Sequence, residues 1–162
     1  MNLRERIMDY SHGNDLRLYW RLFRLRDRLR GRILPDILTF FLNRMAHKRG
    51  GYIGRGAVIA AVPSLPHGLH GIFISRYARI GAGCRIYQNV TIGQAGGLCA
   101  PQIGDGCLIG AGAVIVGDIR IGNHVKIGAG AVVSRDVPDY CTVVSQPPRI
   151  IVPGLRGQQK VI

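Results

Sequence analysis

Five histidines and four cysteines are the side chains of this sequence best able to do acid–base or nucleophilic work near neutral pH. His67 and His70 stand together in SLPHGLHGIFIS, an irregular stretch just ahead of a strongly periodic region. A neutral imidazole there could take a proton from a hydroxyl group. The plainer alternative is a pair of structural histidines that bond loop carbonyls. His12 and His47 lie in a basic N-terminal segment and read as solvent-exposed, and His124, in IGNHVK, reads as a surface turn residue. Cys84, Cys99, Cys107 and Cys141 make neither a CxxC pair nor a zinc spacing, so buried free thiols are expected in preference to disulfides or metal ligation. Cys99 could act as a covalent nucleophile, but no base neighbours it in the sequence. From residue 51 to residue 104 there is no Asp or Glu. A histidine base in that stretch must therefore be oriented by a backbone carbonyl, or by a carboxylate from the N-terminal segment such as Asp36. The same stretch carries Arg55, Arg76, Arg79 and Arg85, either as solvated corners or as a basic site for anionic ligands.

The elements that must hold these groups are legible in a six-residue period. Ile74, Ile80, Ile86 and Ile92 are six apart, and the series resumes at Ile103, Ile109, Ile115, Ile121, Ile127 and Val133. Glycine follows many of these anchors, and a small or aliphatic residue stands two places before most of them, such as Ala78, Cys84, Val90 and Cys107. A period of six fits neither an α-helix, whose period is 3.6, nor a hairpin sandwich, whose period is two. It fits short strands separated by turns, with three units closing a coil and the anchors filling the axis. Glycine after the anchor is expected to relieve the corner. Ile53 and Ile59 begin the coil, with a less regular turn from Ala60 to Phe73. Between Ile92 and Ile103 the phase breaks, so GQAGGLCAPQ must leave the coil as a loop, a common place for function.

Residues 1–50 are different in kind. They are rich in Lys and Arg, and poor in glycine. Leu16 to Leu29 mixes apolar and arginine positions at helical spacing, with Phe23 on a greasy face and Arg26 and Arg30 on a basic one; a second helix is expected from about Pro35 to His47. The chain reads as a helical basic arm (1–50), a β-coil domain (51–152) and a C-terminal tail (153–162). The formal net charge of +13 favours anionic partners. Aromatics are too few, and too rarely interleaved with basic residues, to form a nucleic-acid stacking surface. No secretory signal or membrane-spanning run is visible, so a cytoplasmic location is expected, with the inner membrane face open to the arm.

IGAGCRIYQNVTIG and APQIGDGCLIGAGAVIVGDIRIGNHVKIGAGAVVSRDVPDY resemble the hexapeptide-repeat acyltransferases over about residues 52–152, and most resemble serine acetyltransferases and the O-acetyltransferases of capsular and exopolysaccharide clusters. The resemblance implies an all-β, left-handed parallel β-helix with a short α-helical N-terminal arm. It also implies a homotrimer with sites between subunits, acetyl-CoA as co-substrate, no metal, and direct acetyl transfer with histidine as general base. That base would be His67, with His70 as the second candidate, because the family's histidine precedes a Gly-Ile-x-Ile strand like the one at Gly71. Tyr87, Gln88, Asn89 and Arg76 would line the acceptor pocket. Gly93, Gln94 and Ala95 would border the reacting thioester, Gly110, Ala111, Gly128 and Ala129 would let the donor approach the backbone, and Arg149 would meet its phosphates. The loop lacks the His and Arg that serine acetyltransferases carry there, and the arm is shorter than theirs. Both departures point to a saccharide or sugar-precursor hydroxyl in polysaccharide biosynthesis. The alternatives are serine as acceptor, or a non-catalytic scaffold whose basic arm makes peripheral membrane contact. The histidine spacing does not supply the three zinc ligands of a γ-type carbonic anhydrase.

Overall fold

A computed structural model describes residues 16–29, 31, 33–146, 151–152 and 160–161. Among the described residues, two helices lead into the coil. Helix α1 (Arg17–Arg28) buries Tyr19, Trp20 and Phe23, whose rings meet edge to face or tilted. Its arginines do not all face solvent as the pattern suggests. Arg26 is 4% exposed, with its guanidinium 4.2 Å from the Phe23 ring centre and hydrogen-bonded to Asp27. The ring face and the adjacent carboxylate together compensate the buried charge. Helix α2 (Ile33–His47) starts two residues before Pro35, a first-turn position where a missing N–H costs nothing. It packs on α1 and on the first strand, and ends where Gly51 N–H reaches back to the Ala46 carbonyl and Gly50 takes a φ of 66°.

The six-residue units then wind into a three-faced prism. In chain order the strands are β1 (Tyr52–Ile53), β2 (Val58–Ile59), β3 (Phe73–Ile74), β4 (Arg79–Ile80), β5 (Arg85–Ile86), β6 (Thr91–Gly93), β7 (Gln102–Ile103), β8 (Leu108–Ile109), β9 (Val114–Val116), β10 (Arg120–Ile121), β11 (Lys126–Ile127), β12 (Val132–Val133) and β13 (Thr142–Val143). Face A stacks β1-β3-β6-β9-β12, face B stacks β2-β4-β7-β10, and face C stacks β5-β8-β11-β13, all parallel. This is the left-handed parallel β-helix, preceded by helices α1 and α2. A short antiparallel pair, β14 (Ile151–Val152) with β15 (Lys160–Val161), lies in the C-terminal region.

Every anchor of the period points inward. Ile74, Ile80, Ile86, Ile92, Ile103, Ile109, Ile115, Ile121, Ile127 and Val133 are all buried, and in-register pairs such as Ile74 with Ile92 carry the stack from coil to coil. Each coil alone leaves its apolar edge open, so stability is shared between neighbours. Cys84 and Cys107 are buried free thiols in this core, and their sulfurs donate to the Gly104 and Gly122 carbonyls at 3.3 and 3.1 Å.

The glycines after the anchors have a different task from the one expected. A Cβ on Gly104 would lie 2.8 Å from Gly122 backbone carbon, and one on Gly110 would lie 2.6 Å from Ala129 nitrogen. Their absent side chains let successive coils approach. The left-handed backbone sits two residues further on, at Gly83, Gly106, Gly112 and Gly130, and at the non-glycine residues Asn89, His124 and Tyr140.

Two coils are longer than the rest. Phe73 to Thr91 on face A spans 18 residues, but Tyr52 to Phe73 spans 21 and Thr91 to Val114 spans 23. The first excess falls at the corner from face C to face A and contains His67 and His70. The second falls at the corner from face A to face B and is the GQAGGLCAPQ loop, exposed from Gln94 to Cys99.

Candidate active site

The corner between faces C and A is a ladder of main-chain hydrogen bonds. Asn89 N–H donates to the His70 carbonyl at 2.9 Å, Gly112 N–H to the Gln88 carbonyl at 3.0 Å, and Gly130 N–H to the Ala111 carbonyl at 2.9 Å. His70, Gln88, Ala111 and Ala129 therefore follow one another along a single edge of the prism. The chain enters this edge through residues 65–72, where Gly68 and Gly71 take positive φ while Leu69 and Ile72 are fully buried as pins. Gly71 suits this position because its φ of 64° favours glycine and a Cβ there would crowd the Asn89 side chain.

Both histidine rings are exposed on this edge. The His70 ring nitrogen Nδ1 lies 2.5 Å from the His67 carbonyl oxygen. The His67 ring leans on Tyr87, with centroids 6.1 Å apart. Gln88 presents a buried side-chain oxygen without a hydrogen-bond partner. No carboxylate orients either imidazole among the described residues. Asp36, the arm candidate for that role, forms an ion pair with Arg55 instead.

The other sequence-derived candidates divide between this edge and the next one round the prism. Tyr87, Gln88 and Asn89 join His67 and His70, and Gly110, Ala111, Gly128 and Ala129 continue the same edge along the stack. Of these four, Gly110 and Gly128 are accounted for by contact with the next coil, whereas Ala111 and Ala129 form low outward rungs. Arg76, Gly93, Gln94 and Ala95 lie at the corner between faces A and B. There Gln94 Oε1 accepts from the buried Ser75 hydroxyl at 3.1 Å, which in turn accepts from Tyr77 N–H. Face A separates the two edges. Its outward positions are Tyr52, Phe73, Thr91, Val114 and Val132, none of them charged. On face B, Arg79, Gln102 and Arg120 line an open groove that the histidines do not enter. Arg149 lies outside the described residues, as does His12.

Sequence reasoning missed Ser75 and Asp118. Asp118 stands beside the Cys99 thiol, and its charge and hydrogen bond push that thiol up, against nucleophilic use. The signal for both was the register: Gly93 pairs with Val116, which brings Ser75, Gln94 and Asp118 to one corner. His124 is the turn residue anticipated, left-handed at φ 55°, with its ring stacked on Tyr140 at 5.2 Å. Among the described residues, no cluster of three or more His, Cys, Asp or Glu could hold a metal, and no helix is long and apolar enough to cross a membrane.

The bacterial transferase hexapeptide family (six repeats) matches residues 100–135. The serine acetyltransferase of Synechococcus elongatus is 44% identical over 122 residues, covering 74% of this chain and 48% of that protein. The serine acetyltransferase of Staphylococcus xylosus is 38% identical over 133 residues, covering 80% of this chain and 58% of the relative. The soybean serine acetyltransferase structure complexed with serine superposes with a TM-score of 0.70 at 32% identity, over 90% of this chain and 56% of that one. The chain thus spans about half the length of the curated relatives it matches.

These relatives overturn the expectation of a saccharide acceptor and a place in polysaccharide biosynthesis. That expectation rested on the side chains of one exposed loop and on the length of the arm, the features most free to vary on a fixed scaffold. The chain instead aligns with serine acetyltransferases at 37–44% identity over 122–134 residues. By its repeat, its fold and its relatives, the chain belongs to the hexapeptide-repeat acyltransferases, on their serine acetyltransferase-like branch.

Proposed function

We propose that this chain transfers the acetyl group of acetyl-CoA to the side-chain hydroxyl of serine. The observation that carries the reading is the 44% identity to a serine acetyltransferase over 122 residues, 74% of this chain. A histidine of the 67–70 corner accepts the hydroxyl proton as the serine oxygen attacks the thioester carbonyl. Backbone N–H groups of the Gly93–Ala95 segment meet the oxygen on which negative charge develops. Collapse of that tetrahedral species expels the CoA thiolate, which takes up the proton, leaving O-acetylserine and free CoA. The edge supports this order of events: polar Tyr87, Gln88 and Asn89 surround the acceptor next to the histidines, and the low rungs Ala111 and Ala129 give the donor's narrow arm a path along the coil.

The histidine edge, which also carries the low rungs Ala111 and Ala129, and the edge of Arg76 and Gly93–Ala95 lie on two corners of one prism, with uncharged face A between them. A single chain cannot close them around one substrate. Three copies packed about their uncharged faces would set the histidine edge of one against the Arg76 and Gly93–Ala95 edge of its neighbour. Ile33, Ile37, Phe40 and Phe41, all exposed on α2, are assigned to the same assembly, not to a membrane surface.

The test is product identity. Incubated with acetyl-CoA and L-serine, the chain is expected to yield O-acetylserine by mass spectrometry. Exclusive acetylation of another acceptor offered at the same concentration would remove serine from the proposal.

A further inference from the structure

The structure assigns the proton-accepting role to Nε2 of His70, with the His67 main-chain carbonyl as its orienting partner in place of a carboxylate; this rests on the acetyl-transfer reading above. A carbonyl oxygen can only accept a hydrogen bond. The 2.5 Å contact from His70 Nδ1 therefore requires the proton on Nδ1, and in the neutral ring it leaves Nε2 with a free lone pair. The bond is made within one loop, three residues apart, so it is present before any substrate or partner arrives. Its two peptides are held from below. Asn89 N–H fixes the His70 carbonyl at 2.9 Å, Leu69 is wholly buried between the two histidines, and Gly71 turns the chain at φ 64°.

The alternative partners are engaged or missing. Residues 51–104 contain no Asp or Glu, and Asp36 pairs with Arg55. The His67 ring, by contrast, has Tyr87 as its neighbour, and among the described residues no loop acceptor fixes its tautomer. His67 thus serves as a positioning residue through its backbone, and His70 supplies the base. His70 also heads the Gln88, Ala111 and Ala129 edge, which the His67 ring does not.

Two measurements on the intact chain decide this. Heteronuclear NMR of the imidazole nitrogens, with the His70 signals identified by their loss in His70→Asn, is expected to show the neutral His70 ring protonated at Nδ1 and bare at Nε2. In thiol-release kinetics with acetyl-CoA and L-serine, His70→Asn is expected to lower kcat by about 10²–10⁴-fold, because the asparagine amide can still donate to the carbonyl but offers no base. His67→Ala keeps the carbonyl and is expected to lower kcat by roughly tenfold or less on the same scale. A proton on Nε2 of neutral His70, or a loss in His67→Ala as large as that in His70→Asn, overturns the assignment. A wild-type chain that turns over no serine sinks the acetyl-transfer reading and the base role with it, while the tautomer measurement still decides the positioning claim.

Discussion

Cys99 illustrates how a reactive side chain can be disarmed by a neighbour that is distant in sequence. It sits exposed in the glycine-bearing loop, where a covalent acyl carrier would be sought first. The Asp118 carboxylate beside it disfavours the thiolate by charge repulsion and raises its pKa. Removing that charge lowers the thiol pKa and raises the thiolate fraction at a given pH. Asp118→Asn is therefore expected to speed alkylation of Cys99 by iodoacetamide at pH 8 severalfold; an unchanged rate would show that Asp118 does not act on the thiol. The two histidines were visible in the sequence as candidates, but not the division of labour proposed for them. That depends on a ring nitrogen meeting a main-chain carbonyl three residues back, which composition and spacing do not encode. The Asp36–Arg55 pair was illegible for a related reason: it joins the helical arm to the first coil, and no local pattern reports a contact between separate elements.

At the scale of elements the sequence is far more readable. A side chain on the axis recurs every six residues because each unit contributes one inward position, so the isoleucine series alone specified the stack. The longer loop was visible because it broke that series between Ile92 and Ile103. The three-residue excess in the first coil was not, because Ala60 to Phe73 carries no regular series to break. The glycines after the anchors were located correctly and explained wrongly, since backbone-to-backbone approach between coils leaves no mark on a single coil's own sequence.

Two substitutions separate these effects. Ile115→Ala, at a wholly buried anchor, is expected to cost about 2–5 kcal/mol in urea denaturation. Gly104→Ala is expected to cost about 1–3 kcal/mol, because the added carbon meets the Gly122 backbone as well as the Asn123 side chain, and the backbone cannot swing aside. If Gly104→Ala were as stable as wild type, the close-approach account of these glycines would be wrong.

For the whole molecule, the three faces differ in charge. Face A shows no charged residue outward, whereas face B carries Arg79 and Arg120 and face C carries Arg85 and Lys126. In a chain of formal net charge +13, an uncharged face is where copies can meet without like charges opposing each other. Sedimentation equilibrium is expected to return three times the chain mass, and Phe73→Glu, with Phe73 half-exposed on face A, is expected to shift the population towards monomer and lower activity together. A fully active monomer would contradict the two-edge site.

The acetyl-transfer claim has its most direct test in the initial rate of free-thiol appearance when the purified chain meets acetyl-CoA with and without L-serine. The account predicts thiol release that depends on serine, saturates with it, and falls by about 10²–10⁴-fold in His70→Asn. Release at the same rate without serine would contradict it, and full release in the variant would contradict the base role of His70.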